Sequence, residues 1–189
     1  MKLICQFCKK EFKTETGFQK HTCTKKERYE NFNILAFKLW LQWHKFSKLK
    51  VGKDEEKNKL RFIGSKEYLH FVKFTNYLIE LNPINAYEYV KWLVQHNVKL
   101  NNWANTTYYH RWIVEYLKNE NEIAACKRSE MFLSQENVDI NQISENRLYL
   151  YLYYGKISPY YIKKINKKIL LTLGDDLLLK LQDILKIIL

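Results

Sequence analysis

Five glycines and two prolines in 189 residues leave few places where this chain can break. Between those breaks, apolar residues recur every three to four positions, the period of a helix with a buried face. Residues 28–47 put Tyr29, Phe32, Ala36, Leu39, Trp40 and Trp43 on one face, with Ile34, Phe37 and Leu41 opposite. A helix apolar on both faces has to be buried or covered by a partner. Ser65 offers an N-cap for a helix running to about Leu81. Asn82-Pro83 then marks a turn and a new start, followed by Ala86, Tyr89, Val90, Leu93 and Val94 at helical spacing. Asn101 and Asn102 interrupt the pattern, and Tyr109, Trp112, Ile113, Tyr116 and Leu117 resume it. A shorter helix is predicted around 122–132.

Residues 147–154 alternate leucine and tyrosine, which suits a strand. Ser144 as a cap, Gly155 as a stop and the lack of an evident partner strand select helix instead. Ser158-Pro159 starts another helix. The last runs from Asp175 and Asp176 to Leu189, with a stripe of Leu177, Leu178, Leu181, Ile184, Leu185 and Ile188 that suits core packing or a dimer interface. No internal repeat stands out. The lysine-rich, polar residues 48–64, ending at Gly64, read as a linker. The expected fold is therefore mostly α. A small unit occupies 1–25, a basic apolar helix and linker occupy 26–64, and a helical domain of about five to seven helices occupies 65–189. Apolar residues are 47% of the chain and aromatics 15%, enough for a packed core and against disorder.

The first 25 residues carry the most specific pattern. Cys5 and Cys8 are separated by two residues, twelve more precede His21, and only Thr22 lies between His21 and Cys23. A two-residue gap lets both thiolates of a tight turn reach one ion, and a tetrahedral Zn2+ takes four such soft or borderline ligands. Three residues separate Cys8 from Phe12, five separate Phe12 from Phe18, and two separate Phe18 from His21. In every one of these spacings the segment resembles the two-cysteine, two-histidine zinc finger family. The resemblance implies two short strands carrying the cysteines, a helix carrying the histidine, and a miniature core of Phe12 and Phe18. The departure is the last ligand, which that family places three to five residues beyond the histidine. Residues two apart on a helix point roughly 200° from each other, so His21 and Cys23 can share an ion only if the helix ends at His21. Cys126 and His44 are the alternative fourth ligands.

The resemblance also implies where bases would be read. The reader positions fall on Thr14, Gly17 and Lys20. Gly17 has no side chain and Thr14 is ambivalent, which leaves Lys20 as the one contact to guanine or phosphate. A finger of this kind would instead grip phosphates through Lys9, Lys10, Lys13, Lys20, Lys25 and Lys26, or serve as a structural cap or docking knob.

Charge points the same way. The net charge is +12, and residues 1–66 hold 17 Lys and Arg against 7 Asp and Glu. A basic first third on a nearly balanced body suggests an anionic partner, nucleic acid above all and DNA in particular. A protein partner held through 28–47 or the C-terminal helix is the alternative. A second basic stretch, Lys156, Lys163, Lys164, Lys167 and Lys168 among six tyrosines from Tyr149 to Tyr161, suits either nucleic acid or a solvated face over a tyrosine-rich core. Its two candidate helices flank Gly155 in a helix-turn-helix order. His44, His70, His96 and His110 stand singly and Cys126 sits on a short helix, so core or surface roles are expected of them. No glycine-rich phosphate loop, serine elbow or nuclease-type carboxylate cluster occurs, so neither catalysis nor a small-molecule substrate is expected. No uninterrupted apolar run approaches the roughly 18 residues of a membrane span. The N-terminus turns polar too soon for a secretory segment, and a reducing, intracellular compartment is expected, bacterial or host cytoplasm. The richness in Lys, Asn, Ile, Tyr and Phe suits an AT-rich genome such as that of a phage, a low-GC bacterium, a plasmid or a large virus.

Overall fold

Side-chain caps set where the helices begin. Asn33 accepts from the Ala36 N–H at 2.9 Å, Asp54 from Lys57 at 3.1 Å, Asn85 from Glu88 at 3.1 Å, Asn105 from Thr107 at 2.8 Å and Asn121 from Ile123 at 2.9 Å. Each satisfies a backbone donor that the first helical turn leaves open. The computed structural model describes residues 3–165 and 167–187. After strands β1 (Leu3–Ile4) and β2 (Glu11–Phe12) come helices α1 (Glu15–Gln19), α2 (Thr24–Glu30), α3 (Ile34–Phe46), α4 (Glu55–Ile63), α5 (Tyr68–Leu81) and α6 (Ala86–Gln95). They are followed by α7 (Thr106–Asn119), α8 (Glu122–Gln135), α9 (Glu145–Tyr153), α10 (Pro159–Ile165) and α11 (Asp175–Leu185). The chain is mostly α, with a two-stranded antiparallel sheet pairing Leu3 with Phe12 and Ile4 with Glu11. Residues 65–189 contain α5–α11, and the 147–154 segment is the helix α9. Ile188 and Leu189, the end of the last sequence stripe, lie outside the described residues.

Two expectations are corrected. Residues 28–47 are not one helix: Asn31–Asn33 break it, and Asn33 caps α3 afresh. The segment 48–64 is not a bare linker, because it folds as α4 and buries Phe62 and Ile63. The sequence weights the lysines of this segment, yet two large apolar side chains near its end suffice to anchor it.

The residues form two compact units. The first holds residues up to Leu81 together with Leu93–Ala104. In it α3 packs on α5 and α2 on α4. Its core is aromatic: Phe62 meets Phe37 at 5.8 Å and Trp40 at 5.6 Å, and Trp103 meets Phe71 at 5.7 Å and Phe74 at 5.2 Å. The second unit holds Asn82–Trp92 and the described residues from Asn105 onward. Tyr89, Tyr109 and Trp112 form its aromatic centre, and Leu148, Leu152, Ile162, Leu181 and Ile184 continue it. Arg128 ties this unit together. Its guanidinium grips both oxygens of Glu120 at 2.7 Å and donates to the Gly155 carbonyl at 2.6 Å. Ser129, fully buried, accepts from the Ser158 N–H at 2.9 Å and so joins α8 to the start of α10.

One helix exit, with the turn that follows it, occurs twice among the described residues. Asn97 and Asn137 both adopt left-handed backbone, with φ of 52° and 51°. Val98 N–H bonds to Leu93 C=O at 3.0 Å, and Val138 N–H to Leu133 C=O at 2.9 Å. Each exit leads into a 3₁₀ turn, Leu100–Asn102 and Ile140–Gln142, forty positions apart. A second pair links Asn82 (φ 45°) and Gly155 (φ 69°), each followed two residues later by isoleucine and then by a capping Asn85 or Ser158. The likeness lies in backbone angles and cap roles more than in residue identity, and apolar periodicity is blind to both.

Gly155 is the position where this geometry is least forgiving. A Cβ there would sit 2.5 Å from Ile113 Cγ1 on a left-handed backbone. Gly155→Ala is expected to lower unfolding stability by about 2–4 kcal/mol. Gly52→Ala, whose Cβ meets nothing nearer than Asn58 Oδ1 at 3.5 Å, is expected to change it by less than about 0.5 kcal/mol. Chemical denaturation of both variants checks this, and equal effects would refute the strain at Gly155.

Candidate metal centre

The hairpin β1–β2 brings its cysteines together through a tight knuckle. Cys5 N–H bonds to Lys10 C=O at 3.0 Å and Lys9 N–H to Cys5 C=O at 2.8 Å, with Lys9 in left-handed backbone at φ 61°. Thr14 Oγ1 accepts from Gly17 N–H at 3.2 Å and starts α1. That helix ends at Gln19, with Lys20 as its cap. His21 and Thr22 therefore lie beyond it, and Cys23 is extended at φ −115°, ψ 102°. This is the local unwinding that the one-residue gap between His21 and Cys23 requires. The rings of Phe12 and Phe18 meet edge-on at 5.6 Å, and Phe12 lies 4.8 Å from the His21 ring, so the expected ring contacts form while Phe18 stays 37% exposed.

Cys5, Cys8, His21 and Cys23 consequently present one donor atom each within 4.8 Å of one another. Cys5 Sγ and Cys23 Sγ are 3.7 Å apart, and Cys8 Sγ is 3.2 Å from His21 Nε2. A disulfide would need about 2.05 Å. A tetrahedral ion with metal–sulfur bonds of about 2.3 Å sets sulfur–sulfur edges of about 3.8 Å, which the Cys5–Cys23 pair matches. The donor set and its size fit a metal ion of the zinc type. Nε2 faces the thiols, so the ring proton belongs on Nδ1 when the site is loaded.

The thiols are electrostatically unequal. Cys5 is held down to about 6, first by the Cys8 backbone N–H, with burial opposing and the Phe7 N–H assisting. Cys8 is pushed up overall. The Lys10 backbone N–H lowers it, but burial and the neighbouring Cys5 and Cys23 together outweigh that. Three thiols this close cannot all ionise in comfort without a cation between them.

The alternative fourth ligands do not join this cluster. His44 is buried between Trp40, at 4.0 Å, and Trp43, at 4.9 Å, and burial pushes its pKa down. Cys126 is buried on α8, where desolvation raises its thiol, so it stays protonated and inert. His110 stacks on Tyr153 at 4.4 Å. His70 and His96 are exposed. In the second basic stretch the tyrosines are half-buried. Tyr151 packs against Phe132 at 4.8 Å and Lys164 pairs with Glu130 at 3.1 Å, the pattern of a solvated face over a tyrosine-rich core.

Spacing alone did not disclose how the site is anchored. Cys23 is the N-cap residue of α2, its carbonyl accepting from Glu27 N–H at 3.0 Å. From α2, Arg28 donates to Ile63 C=O at 2.8 Å and lies over the Tyr68 ring at 4.5 Å, while Tyr29 meets Phe7 at 5.4 Å. The last candidate ligand is thus the capping residue of a helix fastened to α4 and α5. No protein-family model matches this chain, and neither a curated protein nor a solved structure does.

Protein purified without added metal is expected to contain about one zinc per chain, and Cys8→Ser with Cys23→Ser to contain none. Elemental analysis decides both. Because a unit this small cannot fold on its own core, a strong chelator should also remove hydrogen-exchange protection from α1 and α2 while leaving α7–α9 protected. Unchanged exchange in α2 would refute the anchoring role of Cys23.

Proposed function

We propose that this is a zinc-finger nucleic-acid-binding protein, favouring DNA, that acts in transcription or replication control without catalysis and with weak sequence preference. The observation that carries the proposal is the outward set of lysines on the metal-held segment and α2. Lys9, Lys10, Lys13, Lys20, Lys25 and Lys26 are all exposed. Among the described residues their one ion pair is the loose contact of Lys26 with Glu30 at 3.7 Å. Surface ammonium groups with so few acidic partners suit a phosphate backbone, whose condensed counterions they release. Thr14 supports weak sequence preference, because its hydroxyl already caps α1, and Gly17 has no side chain to offer. Lys20 alone remains as a base contact.

The reading as an adaptor on a protein machine depends on uncovered apolar faces. Within the first unit α3 buries Ala36, Phe37, Trp40 and His44, leaving Ile34 and Leu35 exposed. Within the second, α11 buries Leu181 and Ile184. Both helices thus spend their main stripe on their own unit, which weakens the adaptor reading.

If about five lysines neutralise phosphates, log affinity should fall with log salt at a slope of roughly −4 to −5. Replacing Lys9, Lys10, Lys13 and Lys20 by Ala should weaken binding to all duplex sequences alike and flatten that slope. Fluorescence anisotropy across a salt series measures it. The absence of binding to any nucleic acid at about 50 mM salt would overturn the proposal.

A further inference from the structure

The first unit contains a groove of about 560 Å3 where the exits of α3 and α6 meet. Trp43, Phe46, Val94, Val98, Leu100 and Trp103 supply its apolar surface, and Lys48 and Lys99 stand among the lining residues, which include no Asp or Glu. Trp43 and Phe46 are half-buried and exposed in part to the groove, while Trp103 is its buried base. The volume lies in the roughly 300–1,000 Å3 range of ligand clefts.

The repeated helix exit provides an internal comparison. In the second unit the equivalent loop lines a groove of about 470 Å3, with Asn137, Val138, Asp139 and Ile140 where the first has Asn97, Val98, Lys99 and Leu100. Asp139 does local work: its carboxylate accepts from the Asn141 N–H at 2.9 Å and caps the 3₁₀ turn. Lys99 stands at the same position and makes no such cap. Lys48 shows the same conflict. It occupies the left-handed exit of α3 at φ 55°, a position taken by asparagine at the exits of α6 and α8. Lysine has no local hydrogen bond to offset left-handed backbone, whereas asparagine does. Both lysines therefore sit where local structure favours another residue, and both face the same aromatic groove. Two helix C-termini lie close by, but each carries only about half a negative charge, and their last carbonyls are taken by the N–H groups of Lys48, Leu49, Asn97 and Val98. Two full ammonium charges leave the groove positive.

Positive charge beside partly exposed rings matches an unpaired nucleic-acid strand, with bases free to stack and phosphates within reach of lysine. A duplex hides its base faces and gains nothing from Trp43 and Phe46. We propose that this groove binds an unpaired segment of nucleic acid, bases against Trp43 and Phe46, phosphates on Lys48 and Lys99. The proposal rests on the nucleic-acid reading above and adds a site distinct from the finger lysines.

The test uses the full, zinc-loaded chain at about 50 mM salt with four labelled probes: a thymidine 12-mer, a uridine 12-mer, a mixed-sequence 12-mer and the last as a duplex. The variant is Lys48→Asn with Lys99→Asp, which installs the residues of the sister loop and should leave the thermal midpoint unchanged or higher. Wild type is expected to bind the single strands with quenching of tryptophan fluorescence. The variant should lose about tenfold or more in single-strand affinity and keep duplex affinity within about twofold. The uridine and thymidine arms decide between RNA and DNA as the source of the strand. Equal losses for strand and duplex, or no loss for either, would overturn the groove while leaving the finger reading intact. Failure of wild type to bind any probe would overturn both. Lys9, Lys10, Lys13 and Lys20 replaced by Ala, which should weaken the duplex most, separates the two sites.

Discussion

A helical chain with so few glycines still has to turn, and how it does so governs the rest of this structure. Left-handed backbone at a helix exit disfavours any residue with a Cβ, by roughly 1–2 kcal/mol, and glycine is the ordinary solution. Here four exits are made without it, at Lys48, Asn82, Asn97 and Asn137. Asparagine is the cheapest substitute because its short amide can bond locally. The asparagines therefore have a structural use: the same residue caps helix starts at positions 33, 85, 105 and 121 and ends helices at 82, 97 and 137. Gly155 is kept where asparagine could not fit, against the Ile113 side chain.

The metal centre rests on the same economy. A knuckle closed by the Lys9 and Cys5 N–H groups, a five-residue helix capped by Thr14, and an extended step at Cys23 give four donors one point of aim. None of these elements has an apolar core of its own beyond Phe12 and Phe18. The donors would repel or protonate if left without an ion, as the opposed shifts of Cys5 and Cys8 illustrate. What makes the segment more than an appendage is Arg28, whose bond to Ile63 and contact with Tyr68 fasten the helix that Cys23 begins. Any ion held by the four donors would thus be coupled to the packing of α2 on α4 through one backbone.

Repetition of the helix exit with altered side chains separates scaffold from specialisation. Leu93 and Leu133, Asn97 and Asn137, and Val98 and Val138 do the same structural work in each copy. Lys99 and Asp139 do not. Where backbone demands are equal, the side chain that ignores them marks the place to look for a ligand.

Short-range information in the sequence determined the four clustered metal-donor residues, the need for α1 to stop before Cys23, the helical choice for 147–154 and the starts at Pro159 and Asp175. Each follows from spacing, caps or breakers within a few residues. Tertiary packing decided the remainder. Which face of α3 is buried could not be read locally, since apolar residues lie all round it. Phe62 and Phe71 select Phe37, Trp40 and Trp43 from segments far away in the chain. The helix in the lysine-rich stretch at 55–63 has local support, with Asp54 as its cap and Lys59 paired to Glu55 and Glu56, but burial of Phe62 and Ile63 is what makes it part of the core. The groove joins residues 43–48 to residues 94–103. Periodicity describes one helix at a time and carries no record of which helices will meet.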